Sequence, residues 1–163
     1  GKMKIFAEEC DLESIVESAV GSVDALLRQK QVSVDWRGET NERLFCDRER
    51  IIQVVVNLLG NAIKFSPNNS RVILRGKRQG NFLRMEIRDR GRGIPEEKIA
   101  HVFDRFYQVE GKEDRELKGT GLGLSICKAI VELHGGKIGV FAGDEGGCVF
   151  WFTIPLVKSQ GAN

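Results

Sequence analysis

Five polar side chains recur at helical spacing along a segment between positions 48 and 65 that is otherwise nearly all apolar. Because the intervals are three or four residues, these side chains share one face of an α-helix, and the other faces are aliphatic. A helix this apolar is typical of a protein core, where an amide without a partner costs a few kcal/mol. We therefore expect a buried polar stripe that binds a polar ligand, formed by Arg50, Gln53, Asn57, Asn61 and Lys64.

The chemistry of this stripe suits a metal and a phosphate. Asn57 and Asn61 lie one turn apart and could offer amide oxygens to a hard cation such as Mg²⁺, which prefers oxygen ligands. Lys64 lies one further turn along and could contact phosphate. A polar loop covering this face of the helix would explain the same residues without a ligand.

A second candidate is the segment D-R-G-R-G-I-P, which begins at Asp89 and contains Gly91 and Gly93. A carboxylate at the end of an apolar strand can accept a hydrogen bond from the exocyclic amine of adenine, whereas guanine presents a carbonyl at that position. The glycines let the backbone approach a flat ligand closely or adopt a positive φ. A tight Asp-Gly turn is the simpler alternative.

A third candidate is the run Gly119, Gly121 and Gly123 at the start of a helical pattern. Free N–H groups and the positive end of the helix dipole favour an anion there. A dinucleotide-binding motif does not fit, because no strand runs directly into this loop. A P-loop does not fit either, because no G-K-[ST] sequence is present.

The elements around these motifs predict an α+β domain, with an antiparallel-rich sheet covered by helices on one face. A charged mobile loop is expected over 110–118 and a frayed tail after Pro155. The expected elements are an edge strand at 3–8, a helix from Asp11 to about residue 29, strands near 32–36 and 44–45, the striped helix capped by Asp47 and ending at Ser66-Pro67, a hairpin at 72–88, a helical turn at 95–100, a helix with the apolar face Leu122, Ile126, Ala129, Ile130 and Leu133, and a hairpin at 137–154.

Composition excludes several classes. The 163 residues fit one domain, and a net charge of +2 is too balanced to indicate nucleic acid. No apolar run is long enough to span a bilayer, and no signal peptide is visible. The four cysteines show no C-x-x-C spacing and predict reduced thiols of a cytosolic protein, without a disulfide or zinc site.

Taken in order, N-L-L-G-N-A-I-K-F, D-R-G-R-G-I-P, F-D-R-F-Y-Q and G-T-G-L-G-L resemble the N, G1, F and G2 boxes of the ATP-binding catalytic domain of sensor histidine kinases. The wider superfamily includes DNA gyrase B subunits, heat-shock chaperone ATPases and mismatch-repair ATPases. The resemblance covers about 3–155, so the whole chain is expected to be one catalytic domain. It implies a two-layer α/β sandwich, the Bergerat ATP-binding fold, with a mixed, mostly antiparallel sheet and helices on one face.

The resemblance also implies the cofactors ATP and Mg²⁺ and a role for each residue that matches a box. Asn61 matches the principal Mg²⁺ ligand, Asn57 assists it, Lys64 contacts phosphate and Asp89 binds the adenine amine. The implied ATP-binding residues are Asn57, Asn61, Lys64, Phe65, Asp89, Gly91, Gly93, Ile94, Tyr107, Gln108, Lys118, Gly119, Thr120, Gly121, Leu122 and Gly123.

Two departures from the family pattern affect the expected phosphate contacts and the expected rate of ATP hydrolysis. Many relatives have arginine where Gln108 stands, so Lys112, Arg115 or Lys118 is expected to supply the missing phosphate contact. Hydrolysing relatives commonly have a glutamate where Asn57 stands, and an amide cannot act as the general base. We therefore expect poor ATP hydrolysis.

The histidines are not those of a phosphoacceptor. Neither His101 nor His134 lies in a motif like H-E-x-x-T-P, so both are expected to be structural or incidental. The acceptor is expected on a separate helical dimerisation domain, with a response regulator downstream. The isolated domain is expected to be a cytoplasmic monomer without direct nucleic-acid or membrane contact. The alternatives are a serine kinase of the anti-sigma type and a degenerate nucleotide-binding docking module.

Overall fold

A computed structural model describes residues 3–104 and 123–156. Short strands and helices precede one long helix, and two hairpins follow it. In chain order the elements are β1 (Glu8–Asp11), α1 (Leu12–Ser22), α2 (Asp24–Lys30), β2 (Ser33–Gly38), β3 (Arg43–Cys46), α3 (Arg48–Phe65), β4 (Arg71–Gln79), β5 (Phe82–Arg88), α4 (Glu96–Ile99), α5 (Gly123–Leu133), β6 (Ile138–Ala142) and β7 (Cys148–Pro155).

The described strands form two sheets. The larger has five strands in the order β2-β4-β5-β7-β6, and the smaller pairs β1 with β3. Strands β2 and β4 run parallel, whereas the other pairs of the larger sheet are antiparallel. The prediction of a mixed, mostly antiparallel sheet is confirmed.

The core lies between one face of the large sheet and the helices. On β5, Leu83, Met85 and Ile87 are fully buried, whereas Arg84 and Glu86 alternate with them on the opposite face. Helix α3 lies at the centre of the helical layer and contacts both α1 and α5. The structure is therefore the expected two-layer α+β sandwich. None of the helices in the described part of the chain has the length and apolarity needed to cross a membrane.

Two predicted elements near the N-terminus were wrong. The first strand spans Glu8–Asp11 rather than 3–8, because its partner β3 lies opposite those four residues. Phe6, which the prediction placed in the strand, is 78% exposed. The first helix also does not continue to residue 29, because Val23 leaves helical geometry and separates α1 from α2. The preceding Gly21 and Ser22 are weak helix formers, which suits a break at this point.

The predicted apolar face of α5 was partly wrong. Ala129 is exposed and Leu133 is 46% exposed. The buried face instead contains Cys127, Ile130 and Val131. These residues follow the same helical period, but the prediction did not count the thiol as an apolar group.

Candidate functional site

The N-terminal end of α3 is held by a network centred on Asp47. Its Oδ1 accepts a hydrogen bond from the backbone N–H of Arg50 at 3.3 Å, and its Oδ2 accepts one from that of Phe6 at 2.9 Å. The Asp47 N–H donates to Nε2 of His134 at 2.9 Å. Because His134 Nδ1 lies 2.8 Å from the carbonyl oxygen of Ile130, Nδ1 carries the proton and Nε2 is the acceptor. His134 therefore joins two helices.

The C-terminal end of α3 is held by Lys30, which sequence reasoning missed. Its Nζ donates to the carbonyl oxygens of Ile63, Lys64 and Ser66 at 2.9, 2.7 and 2.6 Å. The ammonium thus donates to carbonyls at the helix end, where few backbone N–H partners remain, and it lies at the negative end of the helix dipole. Burial lowers the pKa of Lys30.

The polar stripe of α3 is half-buried, whereas the sequence predicted a buried one. The helix lies at the edge of the core along this face, and its aliphatic residues supply the buried contacts. Arg50 Nη1 donates to Gln53 Oε1 at 3.3 Å. Within the described ranges, the side chains of Asn61 and Lys64 make no hydrogen bond or ion pair. The stripe therefore divides into a paired half and a half whose side chains have no partner in the described part of the chain.

Asn57 connects α3 to the start of α5. Its Nδ2 lies 3.5 Å from the carbonyl oxygen of Gly123 and 3.7 Å from Sγ of Cys127. This assignment directs the amide nitrogen toward α5 and leaves Oδ1 as an acceptor for another group. Gly123 is the first residue of α5, so the end of the glycine run lies against the polar stripe.

Asp89 is a buried carboxylate, 5% exposed, in the segment that follows β5. Its Oδ1 accepts the backbone N–H of Gly91 at 2.8 Å and that of Cys148 at 3.3 Å. The simple Asp-Gly turn is therefore present, but it uses one oxygen, and Oδ2 accepts no hydrogen bond from the described residues. Burial raises the pKa of the carboxyl, while the two N–H donors act in the opposite direction.

Glycines allow three backbone segments to meet at Asp89. A Cβ on Gly91 would lie 2.3 Å from the carbonyl oxygen of Phe65, at the end of α3. A Cβ on Gly147, in the β6–β7 turn, would lie 2.1 Å from the carbonyl oxygen of Asp89. Gly93 has a φ of +78° and lies against the same turn. The sequence predicted only a hairpin over 137–154 at this point and did not indicate the contact of Gly147 with Asp89.

The aromatic and aliphatic members of the predicted site lie in the same region. The guanidinium carbon of Arg92 lies 5.1 Å from the ring centroid of Phe65, within the range of a cation–π contact. Ile94 is partly buried and packs against the core. The structure therefore brings Phe65, Asp89, Gly91, Gly93 and Ile94 to one side of α3, and Asn57 and Gly123 to its contact with α5.

The remaining predicted residues lie outside the described ranges. They comprise two implied ATP-binding residues, the three cations expected to contact phosphate and most of the glycine run: Tyr107, Gln108, Lys112, Arg115, Lys118, Gly119, Thr120, Gly121 and Leu122. The expected mobile loop over 110–118 lies in the same gap.

Comparison with known proteins identifies the family. Residues 46–158 match the family described as "Histidine kinase-, DNA gyrase B-, and HSP90-like ATPase". The chain is 37% identical over 155 residues to sensor protein KdpD of Clostridium acetobutylicum, covering 95% of this chain and 17% of that protein. It is 32% identical over 145 residues to the sensor-like histidine kinase SenX3 of Mycolicibacterium smegmatis, covering 89% of this chain and 38% of that protein. The chain thus spans less than half the length of these relatives.

Solved structures agree. The catalytic domain of histidine kinase ThkA superposes with a TM-score of 0.81 at 29% identity, covering 93% of this chain and 96% of that one. ThkA has also been crystallised in complex with the response regulator protein TrrA, and that ThkA structure matches with a TM-score of 0.77 at 27% identity, over 93% of this chain and 42% of that one. With its ordered motifs, its two-layer fold and these matches, the chain belongs to the histidine kinase-, DNA gyrase B- and HSP90-like ATPase family, as a catalytic domain of the sensor histidine kinase type.

Proposed function

We propose that this domain binds Mg²⁺–ATP and transfers the γ-phosphoryl group to a histidine on a separate helical dimerisation domain, in two-component signalling. The observation that carries the proposal is the buried Asp89 carboxylate, whose Oδ1 is used by two backbone donors while Oδ2 accepts none from the described residues. An oxygen of a buried carboxylate that has no donor among the described residues suits a ligand that brings an N–H group. The exocyclic amine of adenine is such a group.

The surroundings of Asp89 suit a flat base. Gly91 and Gly93 present backbone without side chains beside the carboxylate, and Gly147 lets the β6–β7 turn approach from the other side. Phe65 and Ile94 supply apolar surface in the same region. The residues proposed to bind adenine are therefore Asp89 for the amine and its neighbours for the ring faces.

The polar stripe of α3 fits a metal and phosphates. The side chains of Asn61 and Lys64 are half-buried and lack partners among the described residues, and Asn57 keeps its Oδ1 available. Amide oxygens are suitable ligands for Mg²⁺, which neutralises phosphate charge when bound. We assign Asn61 and Asn57 to the metal and Lys64 to phosphate. Gly123, at the N-terminus of α5, would add backbone donors near the same phosphates.

The chain's own residues favour retention of ATP over its hydrolysis. Asn57 stands where hydrolysing relatives have a glutamate, and its amide cannot remove a proton from water. Transfer of a phosphoryl group depends mainly on positioning and charge neutralisation, which Asn61, Lys64 and the backbone can supply. The domain would therefore hold ATP until an acceptor docks.

The two histidines support an acceptor elsewhere. Both ring nitrogens of His134 are hydrogen-bonded within the fold. His101 lies in an exposed turn after α4, with Nδ1 at 3.1 Å from Asp104. By analogy with ThkA and TrrA, a response regulator would receive the phosphoryl group after the histidine.

Calorimetric titration tests the nucleotide site. The domain is titrated with a non-hydrolysable ATP analogue and Mg²⁺, with the matching GTP analogue as the selectivity control. Asp89→Ala should lose most of the affinity, since a buried amine and ring would lose their partner. Asp144→Ala, which removes an exposed carboxylate from the β6–β7 turn, is the matched control and should bind normally. Normal binding by Asp89→Ala would contradict the adenine assignment.

Phosphoryl transfer is tested separately with labelled ATP and supplied partner domains. Label on a histidine domain should be acid-labile, and steady-state ATPase of the isolated domain should be near background. Acid-stable phosphoserine on a partner would instead indicate the anti-sigma type of kinase. Tight ATP binding without transfer to any histidine domain would indicate a docking module.

A further inference from the structure

The face of the large sheet that points away from the helices carries a small depression of about 80 Å³. Strand register places its lining residues together. Arg37 on β2 lies beside Arg75 on β4, which pairs with Glu86 on β5, while Ile73 pairs with Arg88. Residues two apart on a strand share a face, so these side chains lie next to one another on the same face of the sheet. The lining consists of Arg37, Ile73, Arg75, Glu86 and Arg88.

Two of the arginines are held by acidic neighbours. Arg37 contacts Asp35 at 2.9 Å, and Arg75 contacts Glu39 at 2.9 Å. Both guanidinium groups remain partly exposed. Each is therefore pre-oriented at the rim of the depression and keeps N–H donors for a further acceptor, because a guanidinium carries five.

The acidic residue in the lining is already neutralised. Glu86 Oε2 lies 2.9 Å from Nε of Arg84, and both side chains are largely buried. The Arg84 guanidinium in turn lies 4.5 Å from the ring of Trp151. This stacked pair fixes Glu86 and offsets its negative charge.

Arg88 differs from the other charged residues that line the depression. It is half-buried, yet it has no hydrogen bond, ion pair or ring contact with any residue that the structure describes. A Cβ on Gly143 would lie 3.6 Å from its Nη1, so the guanidinium extends toward the β6–β7 turn from its place in the lining of the depression. A partly desolvated cation without a counter-charge favours the approach of an anion.

The depression is distinct from the nucleotide site. Arg88 and Asp89 are consecutive and side chains alternate along a strand, so Arg88 faces away from the helical layer. The depression has a volume of about 80 Å³, which holds several water molecules but not a base and sugar. The chemistry and size suit one carboxylate or phosphoryl group, which arginine binds through paired N–H donors.

We propose that this open-face depression binds a single oxyanion group, a carboxylate or phosphoryl, through Arg88, with Arg37 and Arg75 as flanking donors. The group can be a free anion or part of an acidic side chain on a partner protein. In both cases the recognition is the same, and the site lies on the opposite side of β5 from the proposed nucleotide pocket.

The test is an NMR titration of the domain with inorganic phosphate, compared with chloride at equal ionic strength. The reporters are the Nε–H groups of Arg37 and Arg75 and the backbone amides of Ile73 and Glu86. They should shift in a saturable manner with phosphate and not with chloride. Arg88→Gln should weaken the apparent affinity about tenfold, as expected when a charge-assisted hydrogen bond is lost. Arg88→Lys, which keeps the charge but loses the planar fork, should have an affinity for phosphate between those of Arg88→Gln and the unmodified domain.

Arg78→Gln is the matched control, because Arg78 lies on β4, the strand of Arg75, and pairs with Glu42 at 2.8 Å outside the depression. It should bind phosphate like the unmodified domain. Equal shifts with chloride, unchanged affinity in Arg88→Gln, or shifts confined to α3 and the Asp89 segment would overturn the proposal. A parallel titration with a peptide rich in aspartate and glutamate identifies the source of the anion: tighter binding of the peptide at the same reporters indicates a protein partner, and tighter binding of phosphate a free oxyanion.

Discussion

The two ends of α3 use polar side chains in opposite ways. At the N-terminal end, both carboxylate oxygens of Asp47 and both ring nitrogens of His134 have hydrogen-bond partners within the protein. At the C-terminal end, Lys30 satisfies the backbone carbonyls, while the side chains of Asn61 and Lys64 make no bonds to described residues. At the N-terminal end the fold supplies the hydrogen-bond partners of the polar side chains. At the C-terminal end it supplies partners for the backbone carbonyls, whereas the side chains of Asn61 and Lys64 can still bind a ligand.

This difference separates structural polar residues from ligand-binding ones. Polar groups in a half-buried position usually find partners within the protein, because an unpartnered one costs free energy. Among the described residues, the fold supplies partners around Asp47 and none to the side chain of Asn61. Substitutions at the two ends should therefore differ in kind: one set should change stability alone, and the other nucleotide affinity.

The largest effect is expected at the contact between the C-terminal end of α3 and Gly91. Gly91→Ala places a Cβ 2.3 Å from the Phe65 carbonyl oxygen, so backbone must move. We expect a loss of about 3 kcal/mol in the free energy of unfolding, with weaker ATP binding. Gly60→Ala, in the same helix with no atom within 4 Å of the new Cβ, should be neutral or stabilising by up to about 1 kcal/mol. Chemical denaturation measures both, and equal stability of the two variants would show that the contact is dispensable.

Lys30→Met should separate the two ends most clearly. Loss of three bonds to helix carbonyls should lower the free energy of unfolding by about 2 kcal/mol. It should also weaken ATP binding several-fold, because Lys64 and Phe65 lie within the released turn. His134→Ala, at the other end, should cost a similar free energy and leave nucleotide affinity unchanged in the folded protein. If both variants lose affinity equally, the two ends are not functionally distinct.

Asn61→Ala should change binding with little change in stability. Since its side chain has no described partner, the melting temperature should stay close to that of the unmodified domain. ATP affinity should fall about tenfold when Mg²⁺ is present, and much less in chelator. Gln53→Ala, on the paired half of the same stripe, is the control and should bind normally. A loss of equal size in chelator would point to a structural role for Asn61.

The smallest effect is a pH dependence at Asp89. Burial raises the pKa of this carboxyl, so it takes up a proton at a higher pH than an ordinary aspartate. Adenine affinity should therefore decline as pH falls through this raised pKa. The stability contribution has the opposite sign: it is greatest below the unfolded-state pKa and is lost as pH rises through the folded-state pKa.

Asp89→Asn should flatten both pH profiles. Calorimetry and thermal melts from neutral to acid pH measure them. Parallel profiles for the two proteins would assign the titration to another group.

Much of the fold follows from local patterns. The period of α3, its Asp47 cap and its end at Ser66-Pro67 agree with the structure, as does the hairpin that forms β4 and β5. These features depend on residues near one another in sequence. The α5 face was less predictable, because Cys127 and His134 are buried through contacts with α3 and with Asp47.

The candidate site shows the same division. Asn61, Lys64 and Asp89 are readable because motif order marks them, and their roles stay predictions. Lys30 was not readable, since 33 to 36 residues separate it from the carbonyls that it contacts. Gly147 was not readable either, because its approach to Asp89 depends on how the β6–β7 turn packs in three dimensions.

The burial of Cys127 makes its thiol a reporter of the contact between α3 and α5. Its side chain lies between α5 and the Val54 carbonyl of α3, and burial raises the pKa of the thiol to about 12. A protonated, enclosed thiol reacts with alkylating reagents only when the two helices separate. The rate of alkylation at this sulfur therefore reports how often α3 and α5 separate. A nucleotide that bridges Asn57 and the start of α5 would lower that rate.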